Sequence, residues 1–152
     1  MPIENDIKQT KFRNIHHKMV LNLIYTHNWL VNEQYALLKP FDLTSQQFNV
    51  LRILRGQYPN PVRVNDIIER MLDKMSNVSR LVDKLLAKGL VERTSCPHDR
   101  RAVDVLITEA GLNLLKEIDA HQDTWEDKLR TLNDDEATQL SDLLDKLRNT
   151  NK

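Results

Sequence analysis

Cysteine occurs once in the 152 residues, at Cys96, which excludes an internal disulfide and fits a reducing compartment. Glycine occurs three times and proline five, and aromatic residues make up 5%. That scarcity suits a soluble, mostly helical chain rather than a turn-rich β architecture. No window approaches the ~18 consecutive apolar residues of a membrane span. The opening MPIENDIKQTKFRN has no apolar run of the kind a secretory signal needs, so a cytoplasmic location and no membrane partner are expected. Glycine-rich phosphate loops, nucleophile elbows and His-Glu-x-x-His motifs are also missing, so neither enzymatic activity nor a cofactor is expected.

Net charge is missing too, with 22 basic and 22 acidic side chains. Taken alone, neutrality argues against a nucleic-acid partner. The distribution argues the other way. Residues 74–103 hold seven Lys/Arg against three Asp/Glu, whereas residues 104–152 hold six against twelve. A basic middle is masked by an acidic tail, and the field that meets phosphate is local.

Apolar residues at Phe12, Ile15, Met19, Leu23, Leu30 and Leu37 predict a long amphipathic helix over about 11–38, closed by Pro40. Thr44 and Gln47 have capping-box spacing, with Leu43 and Phe48 as the staple across it. Phe48, Leu51 and Leu54 continue that helix, and Gly56, Pro59 and Pro61 predict the loop after it. Val62–Val64 reads as a short edge strand, and about Asn65–Arg70 as a brief helix burying Ile67 and Ile68. Asp73 is the expected N-cap of a helix running to about Lys88, stopped by Gly89, with Val78, Leu81, Val82, Leu85 and Leu86 as its apolar face. Strands are expected at Leu90–Arg93 and Val103–Ile107, joined by a protruding basic loop. Thr108 is expected to cap a helix to about Leu132 that buries Leu112, Leu115, Ile118 and Trp125. Asn133 and Glu136 announce a last helix whose Leu140, Leu143, Leu144 and Leu147 face inward.

The expected fold is therefore mainly α with a small β component (α+β). A single domain, 1–152, holds a winged helix-turn-helix unit over about 44–108 between long terminal helices over about 11–38 and 108–148. The terminal apolar stripes exceed what the small unit can cover, so a second copy of the chain is the expected cover.

A helix entering the DNA major groove reaches base edges with its N-terminal residues. Lys74, Ser76, Asn77, Ser79 and Arg80 occupy that end, with Asn suited to adenine, Arg to guanine, and Ser and Lys to phosphates or mixed contacts. Short polar residues also begin helices that touch no DNA, and the neighbouring short helix and hairpin decide for the groove. Arg100 and Arg101 at the hairpin tip suit a narrow minor groove. Asp99 can brace one of them: Arg101 reads as the brace and Arg100 as the free finger, with the reverse assignment open.

NVSRLVDKLLAKGLVER, followed by DRRAVDVLIT and then EAG, resembles the MarR family of bacterial transcriptional regulators over residues 44 to 112. One departure is Arg63, where the family often has a Thr or Ser cap. The resemblance implies a homodimer on a pseudo-palindromic site of double-stranded DNA, with the terminal helices as dimerisation helices. It also implies a repressor released by small anionic or phenolic ligands bound between those helices and the DNA-binding unit. Arg52 matches a place where some members contact a ligand carboxylate, with Phe48 as a wall and Arg55 one turn on. The competing reading is that both arginines are solvated or pair with acidic residues across the dimer. Redox sensing through Cys96, metal sensing through the scattered histidines, and a winged helix used only for protein contacts are the alternative functions. No histidine spacing matches a tetrahedral site.

Overall fold

The computed structural model describes residues 1–95 and 103–149. A short helix α1 (Ile3–Asp6) precedes α2 (Ile15–Leu38), and a Lys18–Glu4 ion pair ties them together. The Lys18 ammonium holds the Glu4 carboxyl below the usual carboxylate range. Helix α2 begins at Ile15 rather than near Lys11 because the Asn14 side chain accepts the His17 amide at 2.9 Å and caps the end there. Phe12 is left outside the helix, with its ring edge-on to His17.

After a 3₁₀ turn at Lys39–Phe41 comes α3 (Ser45–Gln57). Both bonds of its capping box form: Thr44 Oγ1 accepts the Gln47 amide at 3.1 Å, and Gln47 Oε1 accepts the Thr44 amide at 3.2 Å. Gly56 belongs to this helix and not to the loop, a correction to the sequence reading.

Strand β1 (Val62–Arg63) leads directly into α4 (Val64–Arg70), which Arg63 precedes without a side-chain cap. Ile67 is fully buried, whereas Ile68 is exposed; a seven-residue helix on this surface turns only one of the two inward. Helix α5 (Val78–Ala87), strands β2 (Val91–Ser95) and β3 (Val103–Ile107), and helices α6 (Glu109–Asp127) and α7 (Asp134–Arg148) complete the order. The sheet is antiparallel with β3 in the centre, pairing Val105 with both Val62 and Arg93.

The end of α5 is a Schellman motif. Gly89, at φ +69°, donates to Leu86 O, and Leu90 donates to Leu85 O, both at 3.0 Å. Leu85 and Leu90 are both buried, as this motif favours. Thr108 completes the junction: its hydroxyl donates to Gly89 O at 2.8 Å and accepts the Gly111 amide at 3.2 Å. One hydroxyl thus caps α6 and holds the end of α5.

A single buried cluster joins Leu38, Leu51, Leu54, Ile67, Val82, Leu85, Val105, Ile107, Leu115 and Ile118 across α2 to α6 and the sheet. Each such side chain contributes about 1.5–3 kcal/mol relative to exposure. The ends of the chain differ. Helix α7 has no buried residue, so the inward-facing Leu140 and Leu143 expected from the sequence are 45% and 62% exposed within one chain. Helix α2 likewise leaves Ile15, Val20, Ile24 and Val31 exposed. Helix α6 stops at Asp127, short of Leu132, and Leu112 and Trp125 are only half-buried. Among the described residues, no helix is long and apolar enough to cross a membrane.

Candidate nucleic-acid interface

Helix α4, the turn 71–77 and α5 form the helix-turn-helix. The cap of α5 is Asn77 rather than Asp73, because Asn77 Oδ1 accepts the Arg80 amide at 3.1 Å. Asp73 instead organises the turn, accepting the Met75 amide on Oδ1 and the Ser76 amide on its carbonyl. Two base-reading assignments change as a result. The Asn77 oxygen that a bidentate adenine contact needs is turned onto the helix end. Among the described residues the Ser76 hydroxyl is buried without a partner, and Ser76 and Asn77 precede the helix instead of sharing a face with Arg80.

Ser79 and Arg80 remain in the first turn of α5, both exposed. Among the described residues, the Arg80 guanidinium has no hydrogen bond or ion pair. Lys74 donates to Glu69 O at 2.5 Å, which fixes its cation at the surface of the turn. Behind this edge, Arg93 of β2 pairs with Asp83 of α5 and ties the hairpin to the helix. Arg100, Arg101, Asp99, Cys96 and His98 lie outside the described residues. Sequence reasoning passed over two side chains of the turn, Leu72 and Met75, which are 84% and 92% exposed. The signal available was an apolar pair between two helices, in a stretch otherwise read as polar.

The expected effector residues do not line one open site. Phe48 is buried in the core, and the Arg52 guanidinium lies 5.7 Å over its ring. Arg55 makes a two-pronged pair with Asp119 of α6, at 2.6 Å and 3.3 Å. Its fork is therefore occupied within the chain, which corrects the expected pairing across the dimer: the acidic partner of Arg55 lies in the same chain. A cleft of about 400 Å³ lies elsewhere, between the end of α2, the 3₁₀ turn and α6. Leu37, Phe41, His121 and Trp125 line it, and the Lys128–Glu33 pair at 3.1 Å borders it. The Phe41 and His121 rings are 5.7 Å apart, and the Trp125 indole N–H is buried without an acceptor among the described residues. Among the described residues, no three His, Cys, Asp or Glu side chains gather as a metal site requires.

Residues 41–102 match the family model described as MarR family. The multiple antibiotic resistance protein MarR of Escherichia coli (strain K12) is 32% identical over 121 residues, covering 78% of this chain and 80% of that protein. Among solved structures, a MarR transcription factor from Planctomyces limnophilus is 32% identical with a TM-score of 0.67, covering 89% of this chain and 98% of that one. A mutant MarR from Escherichia coli complexed with operator DNA is 28% identical with a TM-score of 0.71, covering 83% and 91%.

Proposed function

The chain belongs to the MarR family, and from that premise we propose that it is a cytoplasmic, non-enzymatic repressor that binds operator DNA as a homodimer and responds to a small aromatic or anionic effector. The observation that carries the DNA reading is Arg80, an exposed guanidinium without a partner among the described residues, in the first turn of an otherwise well-packed helix. Arg80 and Ser79 read bases in the major groove, Lys74 holds a phosphate, and Arg100 enters the minor groove beside Arg101, the brace of the loop. The exposed apolar faces of α2 and α7 form the seam between two copies. That seam sets the two α5 helices about one DNA turn apart, roughly 34–36 Å.

Duplexes selected from a random pool test this directly. Arg80→Ala is expected to lose about 1–3 kcal/mol on the selected duplex and to relax preference at one position in each half-site. Lys74→Ala is expected to weaken all duplexes alike and to reduce the salt slope by about 1. If both variants match the parent by fluorescence anisotropy across a salt series, the contact assignment fails.

The cleft beside Trp125 supports a second assignment, for the effector. A buried N–H without an acceptor among the described residues, next to two aromatic rings, suits a flat ligand carrying a carboxylate or phenolic oxygen. Benzoate-type acids that release DNA are expected to quench the Trp125 fluorescence in a Trp29→Phe background, and Arg52→Ala is expected to leave that quenching intact. Loss of quenching in Arg52→Ala, with Trp125 unresponsive, would return the site to Arg52.

A further inference from the structure

We propose that Met75, with Leu72 three residues before it, reads thymine methyl groups in the major groove; the inference rests on the DNA-binding role of α5. The turn between α4 and α5 is anchored at both ends by buried side chains, Met71 and Val78. Between those anchors the backbone is held at several points. The Leu72 amide donates to Asn49 Oδ1 of α3 at 2.9 Å. The Met75 amide donates to Asp73 Oδ1 at 2.9 Å, and the Ser76 amide donates to Asp73 O at 3.2 Å. Lys74 reaches back to Glu69 O. Leu72 and Met75 therefore project from a braced turn, and their exposure of 84% and 92% is a built presentation of apolar surface.

Two apolar side chains held out in water, scarcely covered by the described residues, gain from a partner that is itself apolar. Their position selects that partner. Met75 lies two residues before the cap of α5, at the end of the helix that enters a groove, between the cations of Lys74 and Arg80. A protein interface of standard size covers about 800 Å² on each side, far more than two side chains flanked by lysine and arginine supply. Base edges in the major groove offer one distinctly apolar group, the C5-methyl of thymine. Methionine suits it, because an unbranched thioether adjusts to a small target without strain.

Deoxyuridine differs from thymidine only by that methyl, which makes the test specific. Single deoxyuridine replacements at each thymine of the selected duplex are expected to weaken parent binding roughly four-fold at one or two positions per half-site, the worth of one buried methyl. Met75→Ser is expected to bind the thymine and deoxyuridine duplexes equally, and Met75→Leu to retain the discrimination. Melting temperatures of all variants are expected to match the parent, since the side chain is exposed. A parent indifferent to every replacement overturns the inference while leaving DNA binding intact. Discrimination that persists in both Met75→Ser and Leu72→Ser overturns it as well. A change in sedimentation with Met75→Ser and no deoxyuridine effect assigns the pair to a contact between copies and overturns it. If no duplex is selected by the parent, the failure lies with the DNA-binding role beneath it.

Discussion

A double replacement of Leu140 and Leu143 by Asp is expected to give a folded monomer that binds the selected duplex about 100- to 10,000-fold less tightly than the parent. Both side chains lie on α7, which has no buried residue within its own chain, so the replacement removes nothing from the core. Far-ultraviolet circular dichroism should therefore keep its helical signature. What the replacement removes is the apolar seam, and two carboxylates facing each other across it in a dry interface are unfavourable. The loss on DNA follows from geometry: a dimer engages two half-sites together, whereas a monomer must bind each separately. Sedimentation reads the first step and anisotropy the second. A variant that remains dimeric at micromolar concentration would remove α7 from the seam.

Gly111→Val is expected to destabilise the fold by about 3 kcal/mol or more, at the top of the range for overpacking. A Cβ at Gly111 would press on the carbonyl oxygen of Leu90 and come within 2.7 Å of Ile107 Cγ1. The oxygen belongs to the backbone of the α5–β2 junction and already accepts the Thr108 amide, so it cannot yield cheaply. Gly56→Ala should act in the opposite direction, with a gain of roughly 0.5–1 kcal/mol. Gly56 is helical, and a Cβ there meets nothing within 4 Å. Urea unfolding measures both through the midpoint at unchanged slope. Equal destabilisation by the two would mean that the close approach at Gly111 does not govern its cost.

These two glycines show where legibility stops. Both are a single letter in the sequence, and only the neighbour that each would meet distinguishes them. Signals that act within four residues were readable. Both capping boxes, Thr44 with Gln47 and Asn133 with Glu136, form as spaced, and Gly89 ends α5 in the left-handed conformation. The start of α5 was not readable, since Asp73 and Asn77 are both competent caps. Asp73 organises the turn instead, in a segment that also donates a hydrogen bond to Asn49 of α3, a tertiary contact. The same applies to Arg55, whose partner Asp119 is 64 residues away. On α7 the apolar period was legible, but a period does not say which chain will cover it. Of the candidate site, the basic helix start was visible through Arg80 and Ser79, whereas the presentation of Leu72 and Met75 was hidden by the expected cap at Asp73, which places Met75 inside the helix rather than in the turn before it.

The hydroxyl of Thr108 has a mechanical consequence. It grips the carbonyl of Gly89 with its proton and the amide of Gly111 with its oxygen, so the tail of α5 and the head of α6 share one clamp. Gly111 leaves no slack on the other side of that clamp. Helix α6 is nineteen residues long, and His121 and Trp125 stand on its far half. Seen this way α6 is a crank, with the aromatic cleft at its handle and the groove-reading helix fixed to its shaft. A tilt of α6 that kept both hydrogen bonds of Thr108 would move the end of α5 with it.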